Sequence, residues 1–198
     1  MGKSNNRAWQ RMLSGRRLDL LDPSPLDVEI EDVAHGLSRV PRWNGQTSGN
    51  WAFSVAEHSL LVERIVGLVS PQMAPRWRMA ALLHDGPEYV IGDLISPFKA
   101  MIGGDYKALE NRLLAAIHAH IGLPESLPET VSTGIKRADR LAAWFEATQL
   151  AGFSEDEARQ IFPKPRFAKP VDIVLSPLPP AQAKMAFLER FEALRFAM

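Results

Sequence analysis

Val55-Ala56-Glu57-His58-Ser59-Leu60-Leu61-Val62-Glu63-Arg64-Ile65-Val66-Gly67-Leu68-Val69 is the stretch that decides the fold. Apolar residues at 55, 61, 62, 65, 66 and 69 recur at the spacing of one helical face. His58 lies three residues after Val55 and four before Val62, so it points with that stripe. A helix that aims an imidazole toward the core poses the question that the rest of the chain answers.

Downstream, helical spacing continues. A second helix is expected from Pro75, a favourable first-turn residue, through His84 to Asp85. Gly86-Pro87 ends it, and Pro87 opens a short helix ending near Gly92. Asp105 to Ile121 carries Tyr106, Leu109, Leu113, Ile117 and His120 along one side. Val131 to Leu150 repeats the pattern with Val131, Ile135, Ala138, Ala142 and Phe145. A Pro-rich connection from Pro163 to Pro180 reads as a surface wrap before a last amphipathic helix, Ala181 to Phe196. Upstream, Pro41 to Asn50 is a loop and Glu31 to Val40 is helical. Between Arg17 and Ile30, Leu18 and Leu20 alternate with polar residues, Asp22-Pro23-Ser24-Pro25 reads as a turn, and Leu26, Val28 and Ile30 alternate again. That pattern predicts a short β-hairpin. The expected fold is all-α with a minor hairpin: one domain over residues 1–198, with an N-terminal extension (1–40), a core (41–150) and a C-terminal wrap and helix (151–198).

Composition narrows the function. The length of 198 residues suits one domain. Lys plus Arg and Asp plus Glu both number 23, a balance that argues against a duplex-DNA binder but leaves room for a small anionic substrate. The absence of cysteine removes disulfides, thiolate metal sites and cysteine nucleophiles together. No apolar run is long enough to span a membrane, Met1 to Gln10 lacks the apolar core of a signal peptide, and Asn6 breaks the myristoylation pattern that Met1-Gly2 would begin. The expected location is the cytoplasm.

Three predicted helices each direct an ionisable group inward. His58 is one. His84, seven residues after Trp77 and four after Ala80, is another. Asp139 lies four after Ile135 and three before Ala142. A buried carboxylate needs a compensating partner; Lys136, Arg137 and Arg140 point elsewhere on the helix. A divalent cation satisfies Asp139, Asp85 and both imidazoles at once. Two nitrogens and two oxygens suit Mn, Co, Zn, Ni or Fe, whereas Mg and Ca prefer all-oxygen shells.

Three segments carry a resemblance. Ser54-Val55-Ala56-Glu57-His58-Ser59, Ala81-Leu82-Leu83-His84-Asp85 and Lys136-Arg137-Ala138-Asp139-Arg140-Leu141, in that order, resemble the metal signature of the HD-domain phosphohydrolase superfamily, over about Arg39 to Gln149. The match is closest to its bacterial 5'-deoxynucleotidase branch. The resemblance implies an HD-type helical domain and hydrolysis of the 5'-phosphate of deoxynucleoside monophosphates. It also implies one divalent metal held by His58, His84, Asp85 and Asp139, and a homodimer. Glu88 and Asp93 match the branch's two catalytic carboxylates. Arg42-Trp43 resembles its Arg-Trp pair near the substrate phosphate and sugar, and Ser96-Pro97-Phe98-Lys99 a segment lining the pocket. Two departures fall beside the pocket and not at a ligand: the loop Asn44 to Gly49 is about one residue longer, and Gly86-Pro87 replaces small helix-compatible residues.

The expected roles follow. Glu88 orients or deprotonates the attacking water, Asp93 serves the leaving oxygen, and the two assignments can be exchanged. Arg42 clamps phosphate, Trp43 offers a face to sugar or base, and Lys99 lines the substrate site. His35 is close enough in sequence to reach the cleft; His118 and His120, two apart, cannot easily share a ligand. Competing readings are a triphosphate or alarmone hydrolase, using Lys99, Arg39 and Arg16-Arg17 for the added phosphates, and a non-catalytic nucleotide-binding domain with a structural metal. A cyclic-dinucleotide phosphodiesterase lacks support, because no Gly-Tyr-Pro element is present.

Overall fold

Ser54 starts the central helix of the fold. Its hydroxyl accepts from the Glu57 amide, and the Glu57 carboxylate accepts from the Ser54 amide at 2.9 Å, a reciprocal capping box. The computed structural model describes residues 8–95, 101, 104–167 and 171–198. Among them stand eight α-helices: α1 Ile30–Leu37, α2 Val55–Val69, α3 Pro75–Leu82, α4 Glu88–Ile91, α5 Gly104–His120, α6 Glu129–Gln149, α7 Glu155–Ile161 and α8 Pro180–Ala197. The architecture is all-α with one short antiparallel hairpin near the N-terminus. No helix among the described residues is long and apolar enough to cross a membrane.

The spacing of α2 predicts a stripe; the structure buries nearly every side of it. Val55, Ala56, Leu61, Val62, Ile65 and Val66 are buried, and so are Glu57, His58, Ser59 and Glu63. Helix α6 lies along one flank, with α3 and α8 against others. Buried charge on a helix needs partners. Glu63 takes Arg78 at 2.5 Å and Arg190 at 2.6 Å, which ties α3 and α8 to α2. Glu57 accepts from the Leu178 amide at 2.8 Å, and Gln149 exchanges hydrogen bonds with Ile173 and Leu175, so the residues before α8 are pinned to both central helices.

One expectation is corrected. The hairpin pairs β1 Trp9–Arg11 with β2 Arg17–Asp19, in the register Trp9↔Asp19, Gln10↔Leu18 and Arg11↔Arg17, not 17–21 with 26–30. The tight turn is closed by Met12 and Arg16 at 3.0 Å. Ser24, whose hydroxyl accepts from the Leu26 amide, and Pro25 start a 3-10 turn over Pro25–Asp27 instead of a strand. Leu26 is exposed and Ile30 already belongs to α1, so the alternation there was not that of a strand. Helix α7 lies in a stretch for which no element was expected; its Ser154-to-Glu157 capping box starts it.

Helix α4 approaches α1 so closely that one position on α1 cannot carry a side chain. A Cβ on Gly36 would stand 2.7 Å from both the Cβ and the carbonyl oxygen of Tyr89. Gly36→Ala is therefore expected to destabilise the protein by about 1–3 kcal/mol, read as a fall in the urea midpoint. It should also lower any turnover that depends on Glu88, the residue next to Tyr89, while leaving bound metal intact. Gly86 is constrained similarly: a Cβ there would lie 2.9 Å from the Leu83 carbonyl and 3.0 Å from Ile117. The Gly86-Pro87 pair thus answers to the packing of this turn on α5.

A candidate metal centre and the carboxylate behind it

Four side chains from three places in the fold meet between α2, α3 and α6. His58 sits one turn into α2, His84 and Asp85 follow the end of α3, and Asp139 lies in the middle of α6. His58 Nε2 is 3.2 Å from Asp139 Oδ1 and 3.4 Å from Asp85 Oδ2, and His84 Nε2 is 3.3 Å from Asp85 Oδ2. Ligand atoms of His58, His84 and Asp139 all fall within 4.8 Å of one another. Adjacent residues of a helix diverge, so His84 and Asp85 could not share a point from inside α3. The helix stops at Leu82, Leu83 leaves helical geometry (φ −103°, ψ 9°), and the turn that follows brings both groups to one side.

The rings are oriented for a cation. His58 Nδ1 meets Glu146 Oε1 at 2.5 Å, and His84 Nδ1 meets the Ala81 carbonyl at 2.8 Å. Each partner is an acceptor, so each ring donates from Nδ1 and presents the Nε2 lone pair to the cluster, the arrangement that orients ligating histidines. Both Nε2 atoms are buried and make no hydrogen bond among the described residues. Two orphaned imidazole nitrogens facing two carboxylate oxygens match the donor set of a first-row transition metal or zinc. Asp139 is less buried than its spacing predicts: its side chain is 41% exposed, against 22% for Asp85 and none for His58. The cluster therefore opens to solvent on the α6 side.

Glu146 is the residue that the sequence analysis missed. It is fully buried on α6, two turns beyond Asp139, and that interval of seven residues was the available signal. Besides His58 it accepts from Trp43 Nε1 at 2.9 Å and from Arg42 Nε at 3.3 Å, both at Oε2. Arg42 also donates to Asp93 Oδ2 at 2.9 Å. Asp93, Arg42, Glu146 and His58 thus form a continuous chain from α4's end to the His–Asp cluster. Trp43 reaches it through a left-handed backbone at Trp43 and Asn44 (φ 55° and 50°), a conformation that costs a non-glycine residue about 1–3 kcal/mol. The indole packs against Phe153 and Phe162 at centroid distances of 5.7 and 6.0 Å. The structure commits Trp43, and one edge of Arg42, to Glu146.

Electrostatics follow from this layout. Burial opposes the charge on Glu146, but Arg42 and His58 outweigh it and hold the carboxyl at about 2. Burial and Arg42 also oppose charge on His58, yet Glu146, Asp139 and Asp85 raise it well above its ordinary value. Asp85 and Asp139 are driven down against their own desolvation, Asp85 chiefly by His84 and Asp139 chiefly by His58. A divalent cation among them takes over what a proton otherwise does for the two carboxylates, so metal binding should release protons and weaken in acid.

A stability prediction arises from Glu146. Its carboxyl is lower in the folded protein (about 2) than its ordinary 4.5. The resulting stabilisation is complete above pH 4.5 and is lost as pH falls from there toward 2. A depression of that size is worth about 3 kcal/mol. Urea denaturation from pH 6 to pH 2.5 should show this loss in the parent and not in Glu146→Gln, which starts less stable because Arg42 loses a buried partner. Metal affinity of the variant should fall about 10–100-fold, as for other outer partners of ligating histidines. Parallel pH curves for the two proteins would contradict the assignment.

The remaining expected site residues are dispersed as follows. Glu88 is 1% exposed at the first position of α4, its amide bonded to the Asp85 carbonyl at 3.0 Å. Asp93 is held by Arg42. Lys99, with Ser96 to Phe98, lies outside the described residues. His35 keeps to α1, where its carbonyl accepts from Arg39. His120 bonds the Pro25 carbonyl at 2.9 Å, away from the centre, while His118 is buried. A cavity of about 380 Å³ is lined by His84, Asp85 and Asp139 together with residues of α5 and α6.

No family model matches the chain. An uncharacterized protein of Rhodobacter capsulatus is 56% identical over 188 residues, an alignment that takes in 95% of this chain and 96% of the other. Identity of that extent runs along nearly the whole of both chains, and the chain belongs to the same family as that Rhodobacter capsulatus protein.

Proposed function

We propose that this chain is a divalent-metal-dependent phosphohydrolase of the HD type, acting on the 5'-phosphate of (deoxy)nucleoside monophosphates. One observation carries the reading: two imidazole Nε2 atoms without hydrogen bonds face two carboxylates at 3.2 to 3.4 Å. The solvent-facing side of the cluster, where Asp139 is 41% exposed, adds access for a substrate. The order His58, His84-Asp85, Asp139, with its resemblance to the HD superfamily, supplies the reaction class.

A transition-metal ion held by His58, His84, Asp85 and Asp139 would supply Lewis acidity toward a phosphate oxygen and a bound water of lowered pKa. In the reaction, the water oxygen forms a bond to phosphorus as the ester P–O bond breaks. The water proton passes to Glu88 acting as general base, and Glu88 then returns it to the departing ester oxygen. Glu88 follows Asp85 by three residues across the turn and is the carboxylate to which we give the proton. Asp93 is held by Arg42, which suits it to positioning that cation. Arg42 lies near enough to Asp85 and Asp139 to be stabilised by them, and burial opposes but does not overcome the effect. Its guanidinium is thereby placed to offset phosphate charge beside the centre. Glu146 fixes His58 in the tautomer that presents Nε2.

The test is to strip the protein of metal, reload it with Mn, Co, Ni, Zn or Mg, and supply nucleoside mono- and triphosphates. Chromatography of the released anions is expected to show orthophosphate from monophosphates with a transition metal bound. Tripolyphosphate from triphosphates would move the reading to a triphosphohydrolase. Nucleotide binding without turnover by any metal-loaded form would replace it with a binding domain.

A further inference from the structure

One lysine beside the metal centre has no counter-charge. Lys136 stands on α6 one turn before Asp139, and helical residues three apart are neighbours, with Cβ atoms about 5–6 Å apart. It is exposed, and it lines the cavity of about 380 Å³ that His84, Asp85 and Asp139 also line. Asp139 does not take its charge, because that carboxylate turns to His58 at 3.2 Å. Lys136 makes no ion pair among the described residues. Residues 1–7, 96–100, 102–103 and 168–170 contain no aspartate or glutamate that could supply one.

Other polar groups on the cavity wall are engaged elsewhere. Lys107 meets Glu110 at 2.5 Å, and Ser132 donates to the Glu129 carbonyl at 3.0 Å. Asp85 Oδ2 lies 3.4 Å from His58 Nε2 and 3.3 Å from His84 Nε2. An exposed lysine is ordinarily a solvated one; the charge of the centre sets this one apart. Asp85 and Asp139 would cancel a divalent ion held among them, and neutral imidazoles add nothing. Arg42, the other cation near the cluster, is already shared by Glu146 at 3.3 Å and Asp93 at 2.9 Å. A phosphate monoester carries close to two negative charges at neutral pH, and the centre has no surplus positive charge to meet them. Lys136 supplies it, as a compact ammonium on a flexible stem, beside the side of the cluster where Asp139 is 41% exposed.

We infer that Lys136 binds the non-bridging oxygens of the substrate's phosphoryl group, an assignment that rests on the phosphohydrolase reading and deepens it. It adds a phosphate-binding residue that the resemblance of the sequence does not mark. The adjacent Arg137 is also an exposed cation of α6, but it does not line the cavity. It therefore serves as the control for the general charge of the helix.

The experiment titrates inorganic orthophosphate by calorimetry into the manganese-loaded parent protein, Lys136→Gln, Lys136→Arg and Arg137→Gln. The parent is expected to bind it, and Lys136→Gln to bind it about tenfold more weakly. Lys136→Arg, which keeps the charge, and Arg137→Gln should both stay within about threefold of the parent. Metal per chain and the urea midpoint should be the same in all four proteins, whereas a structural role for the lysine would move them. With a nucleoside monophosphate, the loss in Lys136→Gln should appear in KM, with kcat less affected. Added salt should weaken orthophosphate binding more in the parent than in Lys136→Gln. A loss in Lys136→Gln below about threefold overturns the inference. So does an equal loss in Arg137→Gln, which would assign the effect to the net charge of α6, and so does a parent that binds no orthophosphate. If the metal-loaded parent hydrolyses no nucleotide, the phosphohydrolase reading fails by itself, and the same titration still decides Lys136. A loss confined to Lys136→Gln then upholds it as a phosphate-binding residue, and an unchanged affinity removes it.

Discussion

Asp139→Ala is expected to yield a folded protein that retains neither stoichiometric divalent metal nor measurable phosphate release. The side chain is 41% exposed and meets His58 at 3.2 Å within the cluster. Alanine is the best helix former and no core volume is lost, so the stability change should stay below about 1 kcal/mol. The effect on a bound cation is different in kind. One of two anionic donors disappears, and His58 loses the oxygen that shares its coordination point. A metal's contribution to stabilising transition-state charge amounts to several kcal/mol, so turnover should fall about 10³-fold or more. Metal per chain by elemental analysis, circular dichroism and orthophosphate release form one decisive set. Full metal content with full activity would remove Asp139 from the centre. His84→Ala, which deletes a nitrogen donor from the opposite side, should behave in the same way.

Glu88→Ala separates chemistry from binding. If Glu88 accepts the proton of the attacking water, the variant keeps its metal and its KM while kcat drops by about 10²–10⁴-fold. The residue is almost fully buried, so Glu88→Gln belongs beside it as a variant of the same volume that can hydrogen-bond but cannot take the proton. Both variants should be equally slow if proton transfer is the role. Recovery of activity in Glu88→Gln alone would mean that the side chain positions α4 and nothing more. Unchanged activity in both would remove Glu88 from the mechanism.

The two predictions probe groups that were legible to different degrees. His58, His84 and Asp139 could be singled out because ionisable residues on apolar stripes are conspicuous in a one-dimensional pattern. Asp85 came with His84 as its neighbour. What the pattern misjudged was how the pair meets a common point: it placed both on a helix, and the helix ends at Leu82 so that both can turn inward. The hairpin misread has the same origin. Alternation over Leu26, Val28 and Ile30 is indistinguishable from a strand until Ser24 and Pro25 start a 3-10 turn and Ile30 opens α1.

Taken alone, the amino-acid sequence determined the helical class, most helix positions and the identities of His58, His84 and Asp139, whose ligand atoms the fold brings within 4.8 Å of one another. Those properties depend on the spacing of apolar side chains and on caps, which act over a few residues. Tertiary structure decided the rest. Glu146 meets His58 across 88 residues of chain and Arg42 across 104, and no local rule joins such positions. The left-handed turn at Trp43 persists only because Glu146, Phe153 and Phe162 hold the indole. The cavity beside the centre exists only once α5 and α6 have packed. Burial, and with it the demand that each polar atom find a partner, is a property of the assembled fold.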